Sequence, residues 1–314
     1  MLRARVAGLN WRNYGAWIAF VVIWVALGIA RPGALRLENL HNILRQVSPD
    51  YLLAIGATLV IIAGGIDLSP GMVLGLAGMA AALVMPRLGL AAGLAVGLGT
   101  GVVCGVVSGG LIAWAGLWPF VATLGMFSVA KGLTLVLSGG KAASDLPEAF
   151  KVLGRGDVPI LVALSLGLVM HLVLAKSSVG RRVYALGGNE QAAFLSGISV
   201  RRMKVAVYAA AGLCTGVGAL VYTSRLQSAQ TDAGTGAELR AIAAAVIGGT
   251  SLTGGEGTVT GTLAGALIIV TIQNALNQLE VGPFWQNTVV GAVIIAAALL
   301  DRAIKQTQAR RKRA

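Results

Sequence analysis

Long apolar runs recur along this chain and restrict what it can fold into. Residues 88–115, 120–137 and 158–175 each come close to or exceed the roughly 20 residues that a helix needs to cross a bilayer. Charged residues make up 12% of the chain, against roughly a quarter in soluble proteins. The runs therefore predict an all-α, polytopic transmembrane helix bundle that forms one domain over residues 1–314.

Seven further apolar segments bring the expected number of spans to about ten. Several are short, but the 44 glycines allow close helix packing and helices that break within the membrane. Arg3, Arg5 and Arg12 precede the first segment as in a signal peptide, and we interpret that segment as an uncleaved first span. The seven segments are residues 16–30, 51–63, 72–85, 205–223, 239–247, 259–279 and 283–300.

The stretch between the first two expected spans, residues 31–50, is mostly polar. Within it Leu37, Leu40, Ile43 and Val47 recur at helical spacing. One apolar face on an otherwise polar helix predicts that this segment lies on the membrane surface.

Two short glycine-rich segments share one pattern. GGIDLSPG at residues 64–71 and GGTSLTGG at residues 248–255 both fit GG-x-x-L-[ST]-x-G. Each follows a rather short apolar run and precedes a longer one. Paired breaks in corresponding places are typical of a transport pathway built from a duplicated unit, although a glycine-rich chain can also produce them by coincidence. We expect a broken helix at each segment.

Basic residues concentrate in three blocks, which are the N-terminus, the polar loop of residues 177–204, and the C-terminal tail. These blocks hold more than half of the 25 Lys and Arg residues. Cytoplasmic loops of membrane proteins carry such an excess, so we expect this loop and both termini on the cytoplasmic side. No basic stripe is interleaved with aromatic residues, which argues against nucleic-acid binding despite the net charge of +13.

The polar loop contains a candidate helix. Asn189 is a suitable N-cap, Glu190 falls in the first turn, and Gly197 is a suitable end. A short polar helix that projects from the membrane is a candidate for binding another protein.

Sequence patterns of catalysis are missing. Gly140-Lys141 is followed by Ala142, so the chain has no phosphate-binding loop of its own. His41 and His171 are the only histidines and pair with no cysteine at ligand spacing, so we expect neither a metal site nor a cofactor. An enzymatic function has no support.

Polar side chains within the apolar runs are costly and are the first candidates for a translocation path. Neutral amides suit hydrogen bonding to hydroxylated solutes, but hydrogen bonding between helices explains them equally well. The candidate path residues are Asp67, Ser69, Thr123, Gln273, Asn274 and Asn277.

Four segments together resemble one protein family: VGRRVYALGGNEQAAFLSGISVRRMK, GGIDLSPGMVLGLAGM, TLGMFSVAKGLTLV and ELRAIAAAVIGGTSLTGGEGTVTGTLAGALI. They look like the permease subunit of bacterial ribose-type and related monosaccharide ABC importers, in the expected order over nearly the whole chain.

The resemblance implies a multi-pass permease of the inner membrane that works as a dimer of permease subunits. A cytoplasmic ABC ATPase subunit would dock beneath it, and a periplasmic or lipid-anchored solute-binding protein would deliver the solute. The E-A-A-x-x-x-G motif of ABC importers is similar to Glu190, Ala192, Ala193 and Gly197, which the resemblance makes the coupling residues. Gln191, directly after the glutamate, departs from that motif.

Two alternatives remain open. The same fold can import another solute, such as a nucleoside, a branched amino acid or a signal sugar. A secondary transporter driven by an ion gradient is less well supported, because buried ionisable groups are few and scattered.

Overall fold

The computed structural model describes residues 11–282 together with residues 285, 288, 289, 291, 292, 295 and 296. The expected span over residues 283–300, the basic tail, Arg3 and Arg5 therefore lie wholly or mostly outside the described residues. Within the continuous stretch, helices account for nearly all regular structure, and an isolated antiparallel bridge joins Ala143 to Ala229. The helices are α1 (Trp11–Ala30), α2 (Leu37–Ile62), α3 (Pro70–Leu88), α4 (Leu90–Ala113), α5 (Pro119–Ser138), α6 (Glu148–Lys151), α7 (Val158–Lys176), α8 (Ser178–Gly188), α9 (Glu190–Leu195), α10 (Val200–Leu226), α11 (Ala237–Ile247) and α12 (Val259–Gln278), with 3-10 turns at Pro32–Leu35 and Val152–Gly154.

Six of these helices are long and apolar enough to cross a membrane, namely α3, α4, α5, α7, α10 and α12. Within α1, Gly15–Ile29 forms a shorter apolar segment. The chain is thus a polytopic helical membrane protein. Helices α2 and α11 do not meet the same criterion, because the first half of α2 is polar and α11 has only 11 residues.

The expected helix over residues 31–50 is not a separate element, and its place at the membrane surface stays a prediction. Helix α2 runs without interruption from Leu37 to Ile62 and contains Pro49. Its second half is buried, and two of its polar residues have partners on other helices: Asn39 bonds to Asn274, and Asp50 pairs with Arg240 at 3.2 Å. Glu38, His41 and Asn42, in the first half of the helix, are exposed.

Helix α10 lies at the centre of the bundle and packs antiparallel to α4. Glycines permit this close approach: a methyl group at Gly109 would lie 2.9 Å from the Cα atom of Val205, near the start of α10. Helices α5 and α7 lie outside, where Val129 and Leu168 are 53% and 59% exposed. Apolar exposure on this scale is expected of helices that face lipid.

The two ends of the bundle differ. At one end, the segment between α5 and α7 covers the end of α10: Phe150 is buried, and the hydroxyl of Ser224 donates to its carbonyl oxygen at 2.7 Å. At the other end, helices α8 and α9 lie near the start of α10.

Candidate functional site

The polar loop contains two helices, of which the sequence analysis found one. Asn189 caps α9 as expected, since its side-chain oxygen accepts from the amide of Ala192 at 2.9 Å. The chain leaves α9 as expected at Gly197, whose φ is +82°, and the amide of Ile198 donates to the carbonyl of Ala193 at 3.1 Å. This left-handed glycine with its backward hydrogen bond is a common helix end.

Helix α8 was missed. Its N-cap is Ser177, whose hydroxyl oxygen accepts from the amide of Gly180 at 3.1 Å. Three residues of α8 at helical spacing are buried on one face of the helix: Gly180, Val183 and Leu186. A Ser that can act as an N-cap, followed by residues at this spacing, is a sequence pattern that predicts such a helix.

The surface of α9 is more apolar than its sequence motif suggests. Of the expected coupling residues, Glu190 forms an ion pair with Lys204 at 2.8 Å, Ala192 is exposed, and Ala193 is buried. Phe194 and Leu195, which the sequence analysis did not select, are 67% and 77% exposed. An exposed pair of large apolar side chains on a short polar helix is typical of a protein contact.

A groove of about 1220 Å³ separates α9 from the adjoining ends of α4 and α5. Its lining combines aromatic, acidic and basic side chains, and the ion pair of Lys204 with Glu190 joins α10 to α9 there. The side chains that characterise it are Trp114, Trp118, Glu190, Phe194, Arg201 and Arg202.

Both glycine-rich segments interrupt helices as expected. Helix α2 ends before the first break and α11 before the second. The amide of Gly64 donates to Ile61 at 2.9 Å, and that of Gly249 donates to Val246 at 2.9 Å. Gly64 and Gly249 have φ values of +84° and +90°. The two helices therefore end with equivalent caps, shifted by one residue from the register in which the sequence patterns align.

The two breaks meet in space. The amide of Gly255 in the second break donates to the carbonyl oxygen of Ile62, at the end of α2, at 2.8 Å. A methyl group at Gly254 would lie 3.0 Å from the Cα atom of Gly64 in the first break. Beside them, the hydroxyl groups of Thr58 and Thr262 lie 2.6 Å apart.

Three of the expected path residues cluster at the first break. Asp67 is buried, and one of its carboxylate oxygens accepts from the amide and the hydroxyl of Ser69 at 2.8 and 2.6 Å. Thr123 of α5 is fully buried; its hydroxyl donates to Pro119 at 2.9 Å and lies 3.4 Å from the carbonyl of Ile66. The turn that Asp67 makes with Ser69 leads directly into α3 at Pro70.

The three amides of α12 lie elsewhere. Asn274 and Asn39 exchange hydrogen bonds at 3.0 and 3.1 Å, and Gln278 donates to Asn274 at 2.8 Å. Gln273 is half-buried and Asn277 is exposed. Because Asn39 lies near the start of α2 and the first break follows its end, the two polar clusters are separated by about 35 Å along that helix.

A further buried carboxylate lies outside the set of expected path residues. Glu238 in the first turn of α11 is 8% exposed, and its Oε2 atom has no hydrogen-bond partner among the described residues. The same oxygen lies against the Cα atom of Gly71, where a methyl group would overlap it. Neighbouring Arg240 is engaged with Asp50, so the polar groups of α11 and α2 pack around the start of α3.

The sequence matches a family model over residues 39–298, described as the permease component of a branched-chain amino acid transport system. The ribose import permease protein RbsC of Bacillus subtilis (strain 168) is 44% identical over 299 residues, which cover 93% of this chain and 93% of that protein. No solved structure matches this chain.

Two relatives from Escherichia coli (strain K12) carry the names of other sugars. The D-allose transport system permease protein AlsC is 38% identical over 310 residues, which cover 95% of this chain and 94% of that protein. The L-arabinose transport system permease protein AraH is 34% identical over 305 residues, which cover 94% of this chain and 92% of that protein.

Proposed function

This chain belongs to the family of branched-chain amino acid transport system permease components, and we propose that it is the membrane-spanning subunit of a binding-protein-dependent ABC importer for a monosaccharide. The observation that carries the proposal is full-length similarity: a ribose import permease aligns over 93% of both chains. A match of that extent includes the breaks, the polar loop and the helices that connect them.

The relatives favour a sugar over an amino acid as the cargo. The family description names branched-chain amino acids, whereas the names of the relatives at 44%, 38% and 34% identity refer to ribose, allose and arabinose. Another solute, such as a nucleoside or a branched amino acid, is the second candidate, and the family description is the observation that favours it. Ribose, allose and arabinose share several hydroxyl groups, so neutral polar side chains suit each of them.

Helix α9 is the proposed contact with a cytoplasmic ABC ATPase subunit. Hydrogen-bonded caps at Asn189 and Gly197 define both ends of this helix, so it presents a surface of fixed extent. That surface carries Glu190 and Ala192 beside the exposed side chains of Phe194 and Leu195, while Ala193 and Gly197 fix how α9 is seated. The ATPase supplies the energy, because this chain has no phosphate-binding loop.

The proposed topology has about ten spans, with residues 177–204 and both termini in the cytoplasm. It counts the six long apolar helices, α1, α2, the short α11, and a last span over residues 283–300. Alternating crossings then put α8 and α9 on the same side as the basic termini. A second permease subunit completes the path, and membrane lipids surround the pair.

The proposed translocation path passes the first break, where Asp67, Ser69 and Thr123 are brought together. A periplasmic or lipid-anchored solute-binding protein selects the solute, so the path itself needs only weak polar contacts. Gln273, Asn274 and Asn277 belong to the same proposal at a different depth, although the hydrogen bonds of Asn274 to Asn39 also favour a role in packing.

Reconstitution tests the proposal. The chain is placed in proteoliposomes with its ATPase subunit and soluble binding protein, and uptake of labelled D-ribose, D-allose, L-arabinose and L-leucine is measured with and without ATP. ATP-dependent uptake of a sugar supports the proposal. Uptake of leucine alone would assign the cargo to the second candidate, and uptake by this chain alone along an ion gradient would replace the importer with a secondary transporter.

A further inference from the structure

We propose that Gly187, at the end of α8, is the positioning residue through which movement of α8 and α9 reaches both glycine breaks during transport. The inference rests on the proposed function, because it concerns how energy from the ATPase subunit is used. It adds a defined contact between the cytoplasmic helices and the interrupted helices of the membrane.

The contact is a junction of three backbone segments. A methyl group at Gly187 would overlap the carbonyl oxygen of Ile62 and would lie 2.7 Å from the amide nitrogen of Gly255. Gly254 approaches from the other side, since a methyl group there would lie 2.6 Å from the carbonyl oxygen of Gly187. We call these four residues, Ile62, Gly187, Gly254 and Gly255, the glycine junction.

The last turns of α8 are also bonded to the chain just after the second break. The hydroxyl of Tyr184, one turn before Gly187, donates to the carbonyl oxygen of Gly257 at 2.7 Å. Burial raises the pKa of this hydroxyl, so it keeps its proton and stays a donor at neutral pH. Val183 and Leu186 are buried on the same helix. The end of α8 therefore cannot move without moving its neighbours.

The link from α9 to α8 is equally short. Only Asn189 separates the two helices, and it is bonded in both directions. Its amide donates to Ala185 of α8 at 3.1 Å, and its side chain accepts from Ala192 of α9 at 2.9 Å. A displacement imposed on α9 is consequently passed to α8 and is not absorbed by a flexible linker.

The receiving elements are suited to move. At both breaks the regular hydrogen bonds of a helix stop, which leaves an irregular backbone whose φ and ψ angles can change. Close-packed backbones pass a displacement on directly, because the contacts at the junction join backbone atoms, which cannot change rotamer to absorb it. The first break carries Asp67 and Ser69, so the same movement reaches the proposed path.

Gly188 provides a matched control in the same helix. A methyl group at Gly188 would meet no atom within 4 Å, whereas a methyl group at Gly187 would meet backbone atoms of Ile62 and Gly255. Gly187→Ala and Gly188→Ala make the same chemical change at adjacent positions. Only Gly187→Ala places a methyl group against the glycine junction, so only that variant forces the end of α8 to move away from it.

The experiment uses the complete transporter in proteoliposomes, with D-ribose as the first probe. Three quantities are measured for each variant: ATP hydrolysis stimulated by the binding protein, sugar import, and the import obtained per ATP. For Gly187→Ala we expect ATP hydrolysis to persist and import per ATP to fall about fivefold or more, in the range typical of coupling between sites. Gly188→Ala should match the unaltered transporter in all three.

Tyr184→Phe covers the case in which Gly187→Ala does not assemble. It removes one hydrogen-bond donor at nearly constant volume, and import per ATP should fall while the concentration of binding protein that gives half-maximal ATP hydrolysis stays unchanged.

Import per ATP that is unaltered in Gly187→Ala, or in Tyr184→Phe if the first variant fails to assemble, overturns the proposal. An equal loss in Gly188→Ala also overturns it. Failure of the unaltered chain to import any tested solute with ATP would instead reject the proposed function.

Discussion

Asn39 and Asn274 exchange two hydrogen bonds, at 3.0 and 3.1 Å, although 235 positions separate them in the chain. The pair joins the start of α2 to the last turns of α12. Both amides are half-buried, and each satisfies a donor and an acceptor of the other. One candidate path residue thus has a defined partner within the bundle.

Replacing Asn274 by Leu should reduce stability, because the side-chain oxygen of Asn39 loses its donor and the side-chain NH2 group of Asn39 keeps only its bond to Ala34. The expected cost is about 1–3 kcal/mol in the free energy of unfolding. The double variant Asn39→Leu/Asn274→Leu should be more stable than the sum of the single variants predicts. Thermal unfolding of the purified permease in detergent measures all three.

Asn277→Leu separates packing from a role in the path. Asn277 is exposed, so this variant should assemble normally. Sugar import should fall while the variant still inserts and assembles, which uptake assays and size-exclusion chromatography of the purified permease measure. Import at the unaltered rate would remove Asn277 from the proposed path.

Phe194→Ala and Leu195→Ala should each weaken binding of the ATPase subunit. Apolar side chains at the centre of a protein interface often contribute about 1 kcal/mol or more, which is about a fivefold change in affinity. Co-purification and titration with the ATPase subunit measure the effect. Leu168→Ala is the control and should leave the affinity unchanged, since Leu168 is 59% exposed in the middle of the apolar helix α7 and lies outside the polar loop.

Glu190→Lys should uncouple transport from ATP hydrolysis. The change replaces the ion pair with Lys204 by repulsion between two cations on the edge of the groove, so α9 should reorient. Glu190→Gln keeps the shape and removes only the charge, and should have a smaller effect. If both variants import sugar at the unaltered rate, the assignment of α9 as the coupling helix is wrong.

Breaking the pair of Asp50 and Arg240 should destabilise the bundle. Both side chains retain some exposure, 19% and 22%, so we expect the low end of the cost of losing one member of a buried pair, about 3 kcal/mol. Arg240→Leu alone should therefore lower the yield of folded protein in size-exclusion chromatography. The double variant Asp50→Leu/Arg240→Leu should recover most of it, and an equal loss in both would argue against a role for the pair in stability.

Local signals predicted the membrane class, the position of most helices, both helix breaks, and the cap of α9 at Asn189. Each depends on neighbouring residues: the length of an apolar run, a side chain that can cap the next turn, or a glycine that can adopt a positive φ. A short stretch of sequence is enough to determine each of these features. The turn that Asp67 makes with Ser69 is equally local, whereas Thr123 reaches the first break only through packing of α5.

Tertiary structure alone decided which distant groups meet. It placed Asn39 against Asn274 and Asp50 against Arg240, and it made one continuous helix of the polar stretch and the apolar run that follows it. It also exposed Phe194 and Leu195 and brought the end of α8 between the two breaks. The physical reason is that burial and partnership depend on contacts between segments far apart in the chain, which the spacing within any one segment does not determine.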